Sequence, residues 1–340
     1  MKYQDVVEIF EKQISSFVAT QYDLAGYSFE QVMSHEGGRN LIYFCNKEDA
    51  PSFVLRISYM NDRTENDYLA ELEFVRYLSQ NGASVANVVL TVDDNLLCQM
   101  EVENQILYIC LFEKAKGMQL AENNYRYREG APLSENFYNC GKTLGKIHQL
   151  SKDYKPVHSC KNFAEKYNMD YIEKLLPQNM ADVKKKIGKI LDSLNQIEKS
   201  KENYGMIHFD YSDGNYNVDF SNGKLTVYDF DNSCFAWYMY DIAELWVHGE
   251  GWIMFEADKN KRKQFMEFYL AEILKGYRTE TDISEEMIKK LPLFVQATRI
   301  ENLVDAFEVE KNTGENYLDE EDLEEISQVI LNDVFFVELN

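Results

Sequence analysis

The sequence predicts an α+β protein of two lobes, a smaller antiparallel β-sheet lobe with one main helix followed by a larger, mainly α-helical lobe. Three observations carry this reading. Strand-like apolar runs crowd the stretch from Tyr27 to Phe112, and helical periodicity dominates from Glu135 onward. The 340 residues also exceed one average domain and are enough to bury a sizeable core in each lobe.

Taken in order, Tyr3 to Phe17 places Val6, Val7, Ile9, Phe10, Ile14 and Phe17 at helical spacing, which predicts an amphipathic helix packed on the first lobe. Strands follow at Tyr27 to Ser34, Leu41 to Cys45, Phe53 to Tyr59, Leu96 to Met100 and Gln105 to Phe112, with one helix, Asp67 to Gln80, between the third and fourth. The turn His35-Glu36-Gly37-Gly38-Arg39-Asn40 joins the first two strands. Its glycines let backbone amides come close to a phosphate, and by itself it is equally an ordinary hairpin turn. In Phe53-Val54-Leu55-Arg56-Ile57 a long cation interrupts an apolar strand, and it needs a partner if its head turns inward. Glu71 on the following helix is the candidate, Glu73 lies on the same helix, and an exposed arginine with a solvated glutamate is the plainer alternative.

After Phe112 the text changes to Glu113-Lys114-Ala115-Lys116-Gly117, a linker between the lobes. Helices are expected at Asn136 to Leu150, Phe163 to Leu175, Met180 to Lys199, Lys261 to Lys275, Ser284 to Phe307 and Asp319 to Leu331. Asp319-Glu320-Glu321-Asp322 puts acids in a first helical turn, where the dipole favours them, and lacks calcium-loop spacing. Gly141-Lys142-Thr143 is not a P-loop, because position 136 is asparagine and no strand precedes it.

Composition excludes several classes. With 45% apolar residues, 14% aromatics and five prolines, nothing argues for long disorder. Thirty-five basic against 58 acidic residues give a net charge of -23, a field that repels nucleic acid and anionic lipid and mildly favours cationic substrates. Acidic helices that keep the chain soluble account for most of that charge on their own. The six cysteines form no CxxC pair and sit largely in apolar runs, so neither disulfides nor zinc are expected. No run approaches the ~18 apolar residues of a membrane span, and the start lacks a signal-peptide hydrophobic region. A reducing cytoplasm is the expected compartment.

The stretch that organises the chain is Tyr204 to Asp241. Asn222-Gly223 lies between Tyr216 to Phe220 and Leu225 to Phe230, the signal for a hairpin closed by a type I′ turn. Asp210 and Asn215 precede the hairpin, five apart, and Asp229-Phe230-Asp231 ends it. Pairing the strands is expected to bring Asp210, Asn215 and Asp229 together, a set of hard oxygen groups suited to orienting a hydroxyl and holding magnesium on phosphates. A surface hairpin with loop-typical Asp and Asn is the plainer alternative.

The order His208-Phe209-Asp210, Asn215, Asp229-Phe230-Asp231 resembles the protein-kinase-like superfamily, specifically its aminoglycoside phosphotransferase and choline kinase branch. Within that branch it is most similar to the bacterial subgroup of type II homoserine kinases and the stress-response kinase. The resemblance implies a bilobal protein-kinase-like fold with a nucleotide-binding lobe at 1–112, a hinge at 113–117 and a helical lobe at 118–340. It implies ATP and Mg2+ as cofactors, with Asp210 orienting and deprotonating the acceptor hydroxyl and Asn215 and Asp229 holding the metal. Gly37, Gly38 and Asn40 would belong to the phosphate-covering loop. An Arg56 to Glu71 pair would aim the guanidinium at the α- and β-phosphates, where relatives usually carry lysine. Glu113 and Ala115 would meet adenine through their main chain.

By the same resemblance Asp241 braces the Asp210 loop through backbone amides, His208 braces that loop, His148 packs or caps, and Asp231 is a weaker metal candidate. Ser212 and Asp213 depart from the pattern, since many members carry His or Lys two residues after the aspartate. Magnesium, Arg56 or a backbone donor must then meet the transition-state charge. Trp237, Tyr238, Tyr240, Trp246 and Trp252 are read as core aromatics, with a box for an ammonium group as the alternative. The implied function is ATP-dependent transfer of the γ-phosphoryl to a hydroxyl of a small molecule: an amino alcohol, amino sugar, aminoglycoside or homoserine-like amino acid. The runner-up is a Ser/Thr protein kinase, disfavoured by the short run from Asp229 to Asp241, and a third reading is an inactive nucleotide-binding scaffold.

Overall fold

In the computed structural model, which describes residues 3–32, 39–60, 62–314 and 318–337, the chain divides into two units. The first comprises Met1–Met118, Lys155–Cys160 and Thr226–Asp231, the second Gln119–Tyr154, Lys161–Leu225 and Asn232–Asn340.

The first unit is built on one antiparallel sheet. Strands β1 (Ser28–Gln31), β2 (Asn40–Asn46), β3 (Phe53–Ser58), β4 (Val88–Val89), β5 (Cys98–Val102) and β6 (Gln105–Glu113) take the order β1-β2-β3-β6-β4, and β5 also pairs with β6. Period-2 alternation turns Leu41, Tyr43 and Cys45 of β2 inward. That face is covered by the N-terminal helical run, α1 (Tyr3–Ile9), a π-helical turn Phe10–Ile14 and α2 (Ser15–Gln21), whose Phe10 stacks on Tyr43 at 3.7 Å. This helix runs four residues beyond the expected end at Phe17. Helix α3 (Glu65–Gln80) begins at a Thr64 N-cap with a full capping box to Asp67, two residues ahead of its expected start.

Strand β4 was not expected, because two residues carry no period. Strand β5 starts two residues later than the apolar run suggests. Thr91 closes a turn on Asn95, through Thr91 N to Asn95 O at 2.9 Å and Asn95 N to Thr91 Oγ1 at 3.0 Å, which keeps Leu96 and Leu97 out of the ladder.

The second unit is mainly helical: α4 (Leu133–Ser151), α5 (Phe163–Lys166), α6 (Met169–Leu175), α7 (Ala181–Asn195), α8 (Tyr238–Glu250), α9 (Lys259–Tyr277), α10 (Glu285–Ile288), α11 (Leu291–Thr313) and α12 (Glu320–Leu331). Two expected helices are each split. Asn168 caps α6 by accepting from Tyr171 N at 3.0 Å, which ends α5 at Lys166, and α11 restarts with proline in its first turn after α10. Strands β7 (Tyr204–Ile207) and β10 (Cys234–Trp237) form an antiparallel pair that periodicity over four residues did not reveal.

Strands β8 (Tyr216–Asp219) and β9 (Lys224–Val227) form the expected hairpin, and the boundary between the units falls inside β9. Its turn is not type I′, however. Only Gly223 has positive φ (77°), and the loop spans four residues. Asp219 dictates this: its carboxylate accepts from Ser221 N at 2.9 Å, Ser221 Oγ at 2.5 Å and Asn222 Nδ2 at 2.9 Å, an Asx turn that outcompetes the tighter geometry.

Helices α4 and α9 pack with their backbones almost touching. A Cβ on Gly141 would stand 1.9 Å from Ile273 O, and one on Gly276 would stand 1.9 Å from Tyr138 O. Gly141 therefore serves helix packing, a role its Gly-Lys-Thr context conceals. Among the described residues no helix is long and apolar enough to cross a membrane. Replacing Gly276 by alanine is expected to cost about 1–3 kcal/mol or more from overpacking against backbone, whereas Gly251→Ala, whose added Cβ meets nothing within 4 Å, should change the unfolding free energy by under about 0.5 kcal/mol, both read from urea melts.

Candidate active site

Within the first unit, Arg56 on β3 turns its head inward and is only 5% exposed, and Glu71 on α3 is 1% exposed. Arg56 Nη1 meets Glu71 Oε1 at 2.7 Å and Nη2 meets Oε2 at 2.9 Å, a bidentate pair. Glu73, the competing candidate, instead receives His158 through Nδ1 at 2.6 Å and the backbone N at 3.1 Å. A second guanidinium completes the cluster. Arg63, missed by sequence reasoning, donates from Nη1 to Glu71 Oε2 at 3.1 Å and from Nη2 to the Asp67 carbonyl at 3.3 Å. Its only sequence signal was a basic residue just ahead of the α3 N-cap. Burial opposes the charge on both arginines, yet Cys110, Glu71 and Asp231 around Arg56, and Glu71 and Asp231 around Arg63, hold both pKa values above the ordinary one.

Asn40 opens β2. Its Oδ1 accepts from Ser58 Oγ at 2.5 Å and its Nδ2 donates to Asp231 Oδ2 at 3.4 Å. Gly37 and Gly38 lie outside the described residues. In Asp229-Phe230-Asp231 the middle ring is buried edge-on against Phe74 of α3, with centroids 6.0 Å apart. Asp229 is exposed and takes left-handed backbone, φ 62°, a conformation costly for a residue with a Cβ and typical of functional loops. At the end of β6, Glu113 N donates to Asn87 O at 2.8 Å and Lys114 N to Ser52 O at 3.1 Å. A main-chain contact from Glu113 to a base therefore uses its carbonyl; Ala115 follows two residues on.

Within the second unit, β7 delivers His208-Phe209-Asp210. Asp241, in the first turn of α8, accepts from Phe209 N at 2.8 Å through Oδ1, and from His208 N and His148 Nε2 at 3.0 Å each through Oδ2. This is the bracing that the resemblance implied. His148 is fully buried and its Nδ1 lies 2.9 Å from Tyr277 Oη. Burial outweighs the Asp241 hydrogen bond and lowers the His148 pKa, so the neutral ring donates from Nε2 and accepts at Nδ1.

Phe209 is left-handed at φ 76° and is held there from both sides, its amide by Asp241 and its buried ring by Tyr240, stacked at 4.3 Å and 7°. Tyr211 is equally buried and donates to the Cys140 carbonyl at 3.1 Å. Asp210, half-buried, projects between these two anchors. Asn215 Nδ2 donates to Asp210 Oδ2 at 2.9 Å and to the Asp210 carbonyl at 2.8 Å. The amide nitrogen of Asn215 is thus committed to Asp210, and its Oδ1 remains the face suited to a hard cation.

Asp210 has acidic company. Glu244, one turn along α8 from Asp241, and His248, one turn further, bring ligand atoms within 4.8 Å of one another and of Asp210. Glu301 on α11 accepts from Tyr240 Oη at 2.7 Å. Burial first, then Glu301, Asp210, Asp241 and Asp305, drive the Glu244 pKa well above the carboxylate range. Burial and Asp305 push Glu301 up to about 8 against the opposing pull of Tyr240 and Lys166. Sequence reasoning gave His248 no ligand pattern and passed over Glu244 and Glu301; the Glu244/His248 spacing of four on one helix was the available signal. Trp237, Tyr238, Tyr240 and Trp246 are buried core residues, while Trp252 sits edge-on to Tyr125 and Phe137.

The family model described as the phosphotransferase enzyme family matches residues 34–280, spanning the Arg56 to Glu71 pair, the Asp210 loop and Asp229. The chain belongs to this family. Amicoumacin kinase of Bacillus subtilis (strain 168) is 26% identical over 299 residues, 86% of this chain and 84% of that protein. Among solved structures, the amicoumacin kinase hAmiN in complex with AMP-PNP, Ca2+ and Ami superimposes with a TM-score of 0.82 at 21% identity, covering 99% of this chain and 98% of that one. A microcompartment-associated aminopropanol kinase gives a TM-score of 0.68 at 17% identity, with 94% of each chain covered. Family membership makes the protein a phosphotransferase, and its fold is that of the solved kinases.

Asp241→Ala in this phosphotransferase leaves two buried amides and His148 without their acceptor. It is expected to cost on the order of 3–5 kcal/mol, read as a lower urea midpoint. Glu301, with a folded pKa near 8 against 4.5 unfolded, contributes stability that is full below about pH 4.5 and fades as pH rises through 8. Glu301→Gln should therefore flatten the decline, and its stability advantage over the parent, followed by thermal melts from pH 5 to 9, should grow with pH.

Proposed function

We propose that the acceptor is a small hydroxyl compound carrying an amine, and that Asp210 is the group that orients and deprotonates its hydroxyl. The observation that supports this most is the Asp210 carboxylate itself: fixed by Asn215, flanked by two buried aromatic anchors, and set beside Glu244 and His248. A carboxylate so held suits a hydroxyl, and its acidic neighbours suit a cation attached to that hydroxyl. The names of two similar kinases, for amicoumacin and for aminopropanol, agree with small-molecule acceptors, the second with an amino alcohol.

In the proposed reaction the acceptor oxygen attacks the γ-phosphorus as Asp210 takes its proton, the bond to the bridging oxygen of ADP breaks, and ADP leaves. Arg56, pinned by Glu71, is assigned to the nucleotide phosphates, with Gly37, Gly38 and Asn40 in the loop that covers them. The carbonyl of Glu113 and the main chain of Ala115 are assigned to adenine. Asn215 and Asp229, both hard oxygen donors, are the residues assigned to magnesium, which when bound neutralises charge on the phosphates.

A protein acceptor is less well supported. The run between Asp231 and α8 is short and is taken up by β10, which pairs with β7. The six free cysteines, five of them buried, and the demand for ATP fit the cytoplasm. Asp210→Ala is expected to lower turnover by about 10²- to 10⁴-fold while nucleotide affinity is retained, and Arg56→Ala to weaken nucleotide binding. Unchanged turnover in Asp210→Ala, measured as ADP release across hydroxyl compounds and a protein substrate, would remove Asp210 from its role.

A further inference from the structure

Between α4 and α5 the chain returns to the first unit over Lys155–Cys160, and there it is tied to α3 at two points. His158 gives Glu73 its backbone N, at 3.1 Å to Oε2, and meets it through ring Nδ1, at 2.6 Å to Oε1. A carboxylate has no proton to offer, so Nδ1 is the donor whichever charge the ring carries. One residue on, Asn66 Nδ2 donates to the Ser159 carbonyl at 2.6 Å and to Ser159 Oγ at 3.3 Å.

The ties fall on a particular side of the helix. Asn66 and Glu73 are seven residues apart, two turns along one stripe, whereas Tyr68, Glu71, Val75 and Leu78 belong to the buried stripe. Glu73 and Glu71 are separated by about 200° around the axis. The helix is therefore gripped from opposite sides, Glu71 by Arg56 and Arg63, Asn66 and Glu73 by the strap His158-Ser159. Apolar contacts such as the stack of Tyr68 on Tyr108 of β6, at 4.6 Å, seat α3 on the sheet but are non-directional. Hydrogen bonds fix rotation, because they weaken steeply when misaligned. Rotation matters here: the bidentate Arg56 to Glu71 pair needs both carboxylate oxygens presented to the guanidinium fork. A His158 to Glu73 pair this exposed adds little to overall stability. What it adds is direction.

We propose that His158, with Glu73 and Asn66, is a positioning residue for the phosphate-binding arginine: the strap fixes the rotation of α3, and α3 so fixed presents Glu71 to Arg56. All three act through Glu71 and not on the nucleotide itself. The proposal rests on the assignment of Arg56 to the nucleotide phosphates, and it adds the device that sets that arginine. It also gives a role to a segment that carries no motif, the connection between two helices of the other unit.

The test uses the full chain with two probes, MgATP and adenosine, the second lacking the phosphates. Titration calorimetry, with adenosine read by competition, measures affinity, and hydrogen exchange of peptides covering 65–80 measures how firmly α3 is held. His158→Ala and Glu73→Gln should each weaken MgATP binding by roughly 5- to 30-fold, the size of a lost charge-assisted hydrogen bond. Adenosine affinity should stay unchanged and exchange in 65–80 should quicken. The double variant should bind no more weakly than the weaker single, because both changes remove one contact. His158→Asn, whose Nδ2 stands close to the place of Nδ1, should restore MgATP affinity, and Val157→Ala, on an exposed side chain outside the ties, should match the parent. If His158→Ala does not fold, Asn66→Ala and Glu73→Gln carry the same comparison.

MgATP affinity unchanged in these variants while Arg56→Ala loses it overturns the strap proposal and leaves Arg56 on the phosphates. Equal loss for MgATP and adenosine overturns it as well, since that is general loosening of the unit. Unchanged MgATP affinity in Arg56→Ala overturns the assignment of Arg56 instead. Exchange then decides alone: quickened exchange in 65–80 on His158→Ala supports the strap's hold on α3, and unchanged exchange overturns it.

Discussion

The carboxylate of Asp241 is the constraint on which the loop carrying Asp210 depends. It is fully buried, and it satisfies two successive loop amides and a neutral histidine at once. The loop needs such a partner because Phe209 occupies left-handed backbone, which a residue with a side chain resists by roughly 1–2 kcal/mol. Stacking on Tyr240 and the Asp241 bonds together hold it there, and the next residue, Asp210, is aimed as a result. His148 in turn fixes Asp241 and is fixed by Tyr277, so α4, α8 and α9 all converge on one loop. The glycine contacts between α4 and α9 let those two helices come close enough for His148 and Tyr277 to meet.

The sheet unit solves a different problem, how to keep a cation in a dry place. Burying Arg56 alone would be prohibitive; the bidentate Glu71 offsets the desolvation and fixes the guanidinium plane. Arg63 then shares Glu71, so one carboxylate steadies two cations, and Asp231 adds a second negative charge to both. Arginine suits this arrangement better than lysine because its fork reaches two oxygens at once.

Much of this was legible in the sequence. The strand period around Arg56, the spacing of Asp210, Asn215 and Asp229, and the chain order of these features identified the architecture and the family. The Arg56 to Glu71 pair and the bracing by Asp241 followed from the resemblance. What was not legible depended on tertiary approach or local competition. Strands β4, β7 and β10 are too short to show a period. The Asn-Gly turn was re-shaped by Asp219, three residues earlier. Arg63, Glu244 and Glu301 carry no motif, and only folding reveals that Arg63 shares Glu71, that Glu244 lies beside Asp210 and that Glu301 meets Tyr240. Gly141 was read correctly as no phosphate loop, but its role in the α4 to α9 contact needed the partner helix to be seen.

The choice of guanidinium over ammonium at position 56 reaches beyond geometry. A guanidinium stays charged at any pH a cell meets, and Arg56 and Arg63 are pushed further in that direction by their surroundings. The guanidinium cluster of the first unit therefore keeps its charge whatever the acidity. The buried glutamates of the helical half respond to it. Acidification would leave the two guanidinium charges of the first unit untouched while it changes the charge on the buried glutamates of the second.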